Sequence, residues 1–332
     1  MRILSIDGGG YLGLASACFL AELERHFGTT CHESFDMFCG TSTGAIIALS
    51  LAHGLTATQI CDLYRSFGPQ VFWNPIRPIR FLRLIRGILC SRYTNGALRK
   101  ALEDTFEDAT LGSIMSKGKF VVVPAFSLTR GKSTIFKTDH APGLTRDNGR
   151  RIVDVAMASA AAPVYLPAVE VPVNNSSHPE IFCDGGVVAN HPALVGFVEA
   201  LSVLKATPEH LRLLSVSTPR PDLAETNDSV IHPRRWTTHR GLVAWGTRPI
   251  DIMLNAGGDL THELIRRLFE SQGIAGHYER VHFEKPSCAD MDIADKASTA
   301  ALEAKGRQKG EDGDVRQRLM QFFEPRRASS HG

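Results

Sequence analysis

The sequence predicts an α/β protein with a mostly parallel central sheet, helices on both faces of that sheet and a helical C-terminal extension. Over the first 217 residues, short apolar runs that are typical of buried strands alternate with helix-like runs. Alternation of this kind produces parallel strands that are connected by crossover helices. After residue 218, loops and longer helical stretches replace it. We therefore predict a main domain over residues 1–200 and, over residues 201–332, a strand and a helical extension that pack on the core or continue it.

The predicted elements follow this plan in order. A buried strand at residues 2–6 leads into a helix at 12–27, and a strand at 34–39 leads into a helix at 43–53. Thr56 is a typical N-cap residue and starts a third helix, which runs to Phe67. Runs rich in Val, Ile, Leu and Phe predict the later strands. The remaining elements are strands at 119–123, 133–137, 181–183, 211–216 and 280–284, and helices at 153–162, 192–204, 241–272 and 294–323.

Charge, cysteine usage and hydropathy exclude several classes of protein. The net charge of +2 over 332 residues gives no case for a nucleic-acid polymer as partner. The seven cysteines are odd in number and lack C-x-x-C spacing, which argues against a disulfide framework or a zinc site. The chain enters a strand at once without a signal-peptide pattern, and no apolar run is long enough to span a bilayer. We therefore expect a soluble, cytoplasmic protein whose membrane contact is peripheral.

The most informative motif is G-x-S-x-G at Gly40–Gly44, with Ser42 at its centre. It follows a predicted strand and opens a predicted helix, so Ser42 lies on a sharp strand-to-helix turn that small neighbours permit. Such a turn exposes the serine hydroxyl and places the first N–H groups of the helix beside it, where they favour developing negative charge. We interpret Ser42 as a nucleophile rather than as a purely structural turn residue.

A glycine-rich turn comes directly after the first strand. Gly8, Gly10 and Gly13 match the dinucleotide-binding pattern G-x-G-x-x-G, but the serine motif stands where that pattern requires an acidic residue after the second strand. A structural tight turn is a second interpretation. In a hydrolase, the consecutive N–H groups of Gly8, Gly9 and Gly10 would instead form a loop that binds the oxyanion of the reaction.

Asp184, which ends another predicted strand and precedes Gly185 and Gly186, offers a base for the serine. A serine is a weak nucleophile until a base takes its proton, and the two glycines leave Asp184 unshielded by neighbouring side chains. A plain turn and a Ser–Asp–His triad are the alternatives. No flanking pattern marks one of the candidate histidines, and His191, which precedes Pro192, is interpreted as a helix-entry residue. These candidates are His191, His210, His232, His239, His262, His277 and His282.

All three motifs follow predicted strands, and the sites of parallel sheets gather at the carboxyl ends of their strands. In this order and at these separations, the motifs resemble the patatin-like phospholipase family. The similarity covers residues 1–217, with a looser likeness over 241–268 and around His282. It is carried further by Ser91–Thr94, Phe136–Thr138, Ser159–Pro163, Asp184–Val187 and Asn190–Pro192. The resemblance implies a three-layer α/β/α fold with residues 1–200 as the catalytic domain.

The resemblance also implies a mechanism, namely a Ser–Asp dyad without histidine in which Ser42 is the nucleophile and Asp184 the base. It implies that Gly8, Gly9 and Gly10 supply the oxyanion hole. The reaction would be acyl-ester hydrolysis of lipids through an acyl-serine intermediate, with no metal and no other cofactor. The other glycines of the motifs would shape the turns around the site, and they are Gly13, Gly40, Gly44, Gly185 and Gly186.

Two positions depart from the family pattern. Leu12 stands where many members carry Arg or Lys, so the electrostatic help of that side chain is absent. His191 stands where Asn is usual, which keeps a histidine-assisted mechanism as an alternative. Among bacterial members, the length and the C-terminal helical segment resemble the phospholipases of anti-phage defence that cyclic oligonucleotides activate. This likeness implies a regulatory site for a cyclic dinucleotide and a homo-oligomer.

A basic amphipathic segment lies between Pro75 and Arg92 and contains no acidic residue. In a helix, its arginines would occupy one half of the surface, and large apolar residues would mostly occupy the other half. Such a helix suits the surface of an anionic membrane, and arginines suit the phosphates of a nucleotide activator equally well. A helix that packs its apolar face on the core, with solvated arginines outside, is the third interpretation. The arginines are Arg77, Arg80, Arg83 and Arg86.

The leading prediction is a lipid acyl hydrolase that acts on membrane phospholipids and contacts the membrane peripherally when it is active. A broad esterase or thioesterase is the alternative among enzymes, because no residue of the sequence specifies a headgroup. From another class, the alternative is a nucleotide-binding module in which the loop from Gly8 to Gly13 holds phosphates and Ser42 is structural.

Overall fold

A mixed sheet forms the centre of the computed structural model, which describes residues 1–72, 91–173, 178–220 and 248–324. Its eight strands in these residues are β1 (Arg2–Ile6), β2 (Met37–Gly40), β3 (Phe120–Ser127), β4 (Lys132–Lys137), β5 (Val169–Val171), β6 (Glu180–Asp184), β7 (Arg212–Val216) and β8 (Tyr278–Val281). Hydrogen-bonded neighbours follow the order β5-β6-β3-β2-β1-β7-β8, and β4 also pairs with β3. Strands β3, β2, β1, β7 and β8 are parallel, β4 and β6 are antiparallel to β3, and β5 is antiparallel to β6.

Helices connect the strands, and local sequence signals set several of their ends. Thr56 caps the helix that follows it through a capping box with Gln59, and Gly28 and Gly54 end two helices in the left-handed conformation. The helices are α1 (Gly13–Phe27), α2 (Cys31–Ser34), α3 (Thr43–His53), α4 (Ala57–Val71), α5 (Gly96–Phe106), α6 (Leu111–Met115), α7 (Ile152–Ser159), α8 (Gly186–Ala189), α9 (Ala193–Ser202), α10 (Arg248–Ser271), α11 (Lys296–Glu311) and α12 (Gly313–Phe323).

Alternate residues of the strands pack on opposite faces of the sheet. On β1, Ile3 belongs to one buried apolar cluster and Leu4 to the other, and on β7 Leu213 and Leu214 divide in the same way. The larger cluster includes α1, α3, α4 and α7, and the smaller one includes α9 and α10. Strands that are buried on both faces explain the nearly continuous apolar runs of the sequence. The predicted α/β class with helices on both faces is confirmed.

The C-terminal residues continue this architecture. Strands β7 and β8 extend the sheet beyond β1, and α11 lies directly against α1. There is no room for side chains at this contact, because a Cβ at Gly306 would lie 2.7 Å from the Cβ of Cys18, and one at Gly310 would lie 2.6 Å from the Cβ of Glu22. Glu22 also accepts a hydrogen bond at 2.7 Å from Arg316 of α12. The two last helices therefore support the helix that starts beside the glycine-rich turn.

The structure also corrects the sequence prediction in places. Strand β2 is shorter than the predicted strand at 34–39, because Cys31–Ser34 forms a helical turn with a capping box at Thr30. Helix α5 and the short strand β5 were not predicted from the sequence. Among the residues that the structure describes, no helix combines the length and the apolar character needed to cross a membrane.

Candidate active site

Ser42 lies at the junction between β2 and α3, on the wall of a cavity. Its backbone has φ 56° and ψ −124°, a conformation that costs a residue with a side chain about 1–3 kcal/mol. The motif glycines make this turn possible. A Cβ at Gly40 would lie 2.5 Å from the carbonyl carbon of Gly44, and a Cβ at Gly44 would lie 2.6 Å from the carbonyl oxygen of Asp7. Only glycine at both positions allows α3 to turn back this closely against β1 and β2.

Ser159, at the end of α7, holds the serine turn in place. Its hydroxyl accepts a hydrogen bond from the Ser42 N–H at 3.0 Å and donates one to the carbonyl of Pro124 at 2.7 Å. Its carbonyl accepts the N–H of Gly185 at 3.1 Å, next to Asp184. One buried residue thus connects the turn at Ser42, strand β3 and the Asp184 loop, through its hydroxyl and its carbonyl. In the sequence, Ser159 belongs to the stretch Ser159–Pro163 that resembles the family, and no role is predicted for it from that stretch.

Asp184 reaches Ser42 through an unusual strand arrangement. Strand β2 pairs with β3 over residues 120–122, β6 pairs with β3 over residues 125–127, and β4 takes the opposite edge over residues 122–127. Strands β2 and β6 therefore lie end to end along one edge of β3. Because β2 is parallel and β6 antiparallel to β3, their carboxyl ends point towards each other. Asp184 ends a strand, as predicted, and the antiparallel direction of that strand, β6, brings Asp184 to Ser42.

The Asp184 carboxyl is buried and carries a perturbed pKa. Burial raises this pKa from 3.8 to about 6, although the Ser42 hydroxyl and the N–H of Gly186 act in the opposite direction. Oδ1 accepts the Gly186 N–H at 2.6 Å. Within the described residues, Oδ2 has no hydrogen-bond partner. A carboxylate with a free oxygen and a pKa of about 6 is suited to accept a proton near neutral pH.

The glycine loop, Gly8–Gly10, approaches the serine from the end of β1. A Cβ at Gly8 would lie 3.2 Å from the Cβ of Ser42, so the loop and the serine are in contact. The N–H of Gly8 donates to the carbonyl of Asn190 at 3.2 Å, whereas those of Gly9 and Gly10 donate to no acceptor in the described part of the chain. The structure therefore leaves Gly9 and Gly10, but not Gly8, with N–H groups available to a ligand.

Three contacts fix the glycine loop from the C-terminal half of the chain. The Thr218 hydroxyl donates to the Gly8 carbonyl at 2.6 Å. The Met291 carbonyl accepts the Tyr11 N–H at 2.9 Å, and it also occupies the space into which a Cβ at Gly10 would project. Gly10 has φ 58°, a left-handed value that favours glycine.

Gly13, at the start of α1, packs against Thr43, so a Cβ there would lie 2.9 Å from the Thr43 methyl carbon.

A single cavity brings these groups together. Its empty space, with the open solvent at its mouth counted in, is about 980 Å³, and its polar residues are concentrated around Ser42, Asp184 and the glycine loop. The rest of its wall is largely apolar and aromatic. This apolar lining comprises Leu12, Ile46, Phe67, Val71, Phe72, Leu98, Tyr165 and Leu166. Leu12, one of the departures from the family pattern, is thus part of the apolar wall.

His191 does not contact the predicted dyad. Its Nε2 lies 2.8 Å from the Ser215 hydroxyl and its Nδ1 lies 3.1 Å from the Gly258 carbonyl. Arg280 can only donate, and it does so to Ser215 at 2.5 Å, so the serine proton goes to Nε2 and Nδ1–H donates to Gly258. Burial lowers the pKa of His191 to about 3, so the ring is neutral. This buried structural role leaves no support for a histidine-assisted mechanism.

The other candidates from the sequence do not join the site. None of the candidate histidines that the structure describes lines the cavity, and His232 and His239 lie outside the described residues. The basic segment also lies outside them, so its three interpretations stay predictions. Its arginines are Arg77, Arg80, Arg83 and Arg86. In the described ranges there is no cluster of His, Cys, Asp and Glu that could hold a metal ion.

A strained serine, a buried carboxylate and free N–H groups on one cavity are features of a serine-dependent hydrolase. Comparison with known proteins gives the family. The protein-family model described as "Patatin-like phospholipase" matches residues 4–196, so the chain belongs to the patatin-like phospholipase family. It is therefore a lipid-hydrolysing enzyme of the phospholipase type, as the sequence predicts.

Three relatives share the same description, "cGAMP-activated phospholipase". The chain is 31% identical to the protein from Vibrio cholerae over 93% of its own length and 90% of the relative. It is 29% identical to the protein from Escherichia coli strain TW11681, over 93% of this chain and 88% of that relative. It is 35% identical to the protein from Pseudomonas aeruginosa, over 65% of this chain and 62% of that relative.

Proposed function

We propose that this enzyme hydrolyses the acyl ester bonds of membrane phospholipids, with Ser42 as nucleophile and Asp184 as base. The observation that carries the proposal is the position of a strained serine beside a buried carboxylate, at the polar end of an apolar cavity. The ester lies at the polar end, and the acyl chain lies among the apolar residues.

In the first half of the reaction, Asp184 takes the proton of the Ser42 hydroxyl while the serine oxygen forms a bond to the ester carbonyl carbon. The carbonyl oxygen becomes an oxyanion. The free N–H groups of Gly9 and Gly10 stabilise this charge, together with the positive end of the α3 dipole at Thr43. When the bond to the lysolipid oxygen breaks, Asp184 gives its proton to that oxygen, and an acyl-serine remains.

The second half repeats the same chemistry with water. Asp184 takes a proton from a water molecule, whose oxygen attacks the acyl-serine carbonyl. The tetrahedral intermediate then collapses, the bond to Ser42 breaks, and the serine oxygen regains a proton from Asp184. Free fatty acid leaves. A carboxyl pKa of about 6 allows Asp184 to be charged before each attack and still to serve as a proton donor afterwards.

The names of the relatives support a regulated activity. We propose that a cyclic dinucleotide activates this enzyme as well, because the relatives from Vibrio cholerae and Escherichia coli cover nearly the whole chain and are described as cGAMP-activated. A homo-oligomer, a cytoplasmic location and peripheral membrane contact belong to the same proposal. The basic segment is a candidate contact for either the membrane or the activator.

The test is the release of fatty acid from phospholipid vesicles, measured with and without a panel of cyclic dinucleotides. We expect Ser42→Ala and Asp184→Ala each to lose about four orders of magnitude or more in kcat, because a nucleophile and its base act as one unit. Ser50→Ala is the matched control, since Ser50 is a buried serine of α3 whose hydroxyl donates to the Ile46 carbonyl of its own helix.

The outcomes separate the alternatives. Full activity of the Ser42→Ala enzyme would exclude the proposed mechanism. Hydrolysis of a short monomeric ester or thioester, without hydrolysis of vesicle lipid under any condition, would indicate a broad esterase. Binding of a nucleotide by a protein that hydrolyses no ester would indicate the nucleotide-binding module.

A further inference from the structure

A buried ion cluster lies directly behind the glycine loop. Asp7, the residue before Gly8, is completely buried. Its Oδ2 accepts hydrogen bonds from Arg280 at 2.6 Å and from Arg220 at 2.5 Å, and its Oδ1 accepts a second bond from Arg280 at 3.2 Å. Burial alone would raise the pKa of Asp7, but the guanidinium groups of Arg280 and Arg220 hold this pKa well below its usual range.

Both arginines come from outside the residues that match the family model. Arg220 follows β7, and Arg280 lies on β8, two strands away from Asp7. The sheet register explains how Arg280 reaches the carboxylate, because Ser5, Ser215 and Arg280 are paired across β1, β7 and β8. The guanidinium crosses β7, donates to the Ser215 hydroxyl at 2.5 Å and ends at Asp7, two residues beyond Ser5 on the same face of β1.

The cluster has an excess of positive charge. Two guanidinium groups surround one carboxylate, and the side chain of Arg280 is 2% exposed and that of Arg220 14% exposed. In the described part of the chain, Arg220 also pairs with Asp259 at 3.4 Å, but the Asp259 side chain is 84% exposed and its charge is therefore well screened. Among the described residues, the buried part of the cluster thus carries one more positive than negative charge, behind the loop whose Gly9 and Gly10 N–H groups are free of acceptors in the same residues.

We propose that Arg280, assisted by Arg220, is a positioning residue for the oxyanion loop. It holds Asp7, and through Asp7 it sets the direction of the Gly9 and Gly10 N–H groups, while the excess positive charge of the cluster favours the oxyanion. The C-terminal strand β8 is thereby a functional part of the catalytic centre. This inference rests on the proposed function, because it concerns the oxyanion of that reaction.

The test compares Arg280→Gln, Arg280→Lys and Arg220→Gln with wild type on a short-chain monomeric ester. Arg318→Gln is the matched control, because it removes the same charge next to β8. Arg318 pairs at 3.3 Å with Glu279, which is the neighbour of Arg280 on that strand. We expect Arg280→Gln to lower kcat about 10- to 100-fold with KM changed by less than about threefold, because the oxyanion exists only in the transition state. Arg280→Lys should recover part of the loss, and Arg318→Gln should match wild type.

Inhibitor binding separates positioning from general damage. A trifluoromethyl ketone forms an oxyanion with the serine, whereas the corresponding alcohol occupies the same cavity without one. Arg280→Gln should weaken the ketone by the same factor as kcat and leave the alcohol unchanged. Unchanged kcat and ketone affinity would overturn the inference, and so would an equal loss for the ketone and the alcohol.

Two controls keep the result interpretable. If circular dichroism shows that Arg280→Gln does not fold, Arg220→Gln is measured with the same readouts, because Arg220 is partly accessible. A selective loss of ketone affinity in this variant supports the inference. Wild-type ketone affinity in this variant overturns it. If wild type hydrolyses no ester, or Ser42→Ala keeps full activity, the proposed function fails independently of the arginines.

Discussion

Replacing Asp184 with Asn should abolish hydrolysis and at the same time stabilise the folded enzyme at neutral and alkaline pH. The pKa of Asp184 rises from 3.8 to about 6 on folding because the carboxyl is buried. Since one pKa unit corresponds to about 1.4 kcal/mol, the charged carboxylate costs the folded state about 3 kcal/mol once the pH is well above 6. A buried carboxylate with a raised pKa is therefore a source of instability.

The sign of the pH dependence follows from the raised pKa. Asp184 favours the folded state fully below pH 3.8, where it is protonated in both states, and this contribution is lost as the pH rises through about 6. An asparagine is uncharged throughout, and its amide oxygen keeps the acceptor for the Gly186 N–H. The variant should thus match wild type near pH 4 and gain stability above pH 6. We expect a gain of about 1 to 3 kcal/mol at pH 8, because the new amide N–H group needs an acceptor.

Denaturant unfolding of wild type and Asp184→Asn between pH 4 and pH 8 measures this difference directly. Ser42→Ala is the control, because it removes catalysis but keeps the Asp184 carboxylate. The free energy of unfolding of Ser42→Ala should therefore still fall, relative to that of Asp184→Asn, as the pH rises. In wild type, kcat/KM should decrease about tenfold per pH unit below about 6, where Asp184 becomes protonated. A stability difference that does not change with pH, or a variant that is less stable than wild type at pH 8, would refute the raised pKa.

Two further predictions concern the glycine loop and the serine turn. Gly9→Ala should lower kcat about 100-fold with little change in KM, because its Cβ would lie 2.8 Å from the Cβ of Thr218 and tilt the free N–H groups. Steady-state kinetics measures the change in kcat, with Gly96→Ala as the control because a Cβ at Gly96 meets nothing within 4 Å. A wild-type kcat in folded Gly9→Ala would remove the loop from the mechanism. Ser159→Ala should lower the free energy of unfolding by about 1–3 kcal/mol and kcat about tenfold, because the Ser42 N–H loses its acceptor. Denaturant unfolding and kinetics beside Ser50→Ala measure both effects, and equal results for the two variants would deny Ser159 a specific role.

Features that depend on neighbours in the chain were predictable from the sequence. The strand, turn and helix around Ser42 are consecutive, and small residues at Gly40 and Gly44 together with an apolar helix mark the turn without reference to the rest of the molecule. The class of fold follows from the same kind of information, because strands buried on both faces and amphipathic helices differ in their apolar periodicity. Helix α5 was missed, although its apolar residues Leu98, Leu102 and Phe106 recur with helical spacing.

Features that depend on distant residues were decided by the tertiary structure. Asp184 meets Ser42 because β6 runs antiparallel to β3 along one edge of that strand. Neither the residues of β6 nor the two glycines after Asp184 indicate this direction in the sequence. Burial raises its pKa, so its fitness as a base is also a tertiary property. The Arg280 guanidinium lies 273 residues from Asp7 in the chain and left no signal in the sequence. The sequence by itself determined the serine turn and the class of fold, because these arise from local backbone geometry and apolar periodicity. Only the tertiary structure shows that Asp184 is buried beside Ser42, that His191 is buried away from both, and that Arg280 reaches Asp7, because direction, burial and charge depend on which strands become neighbours.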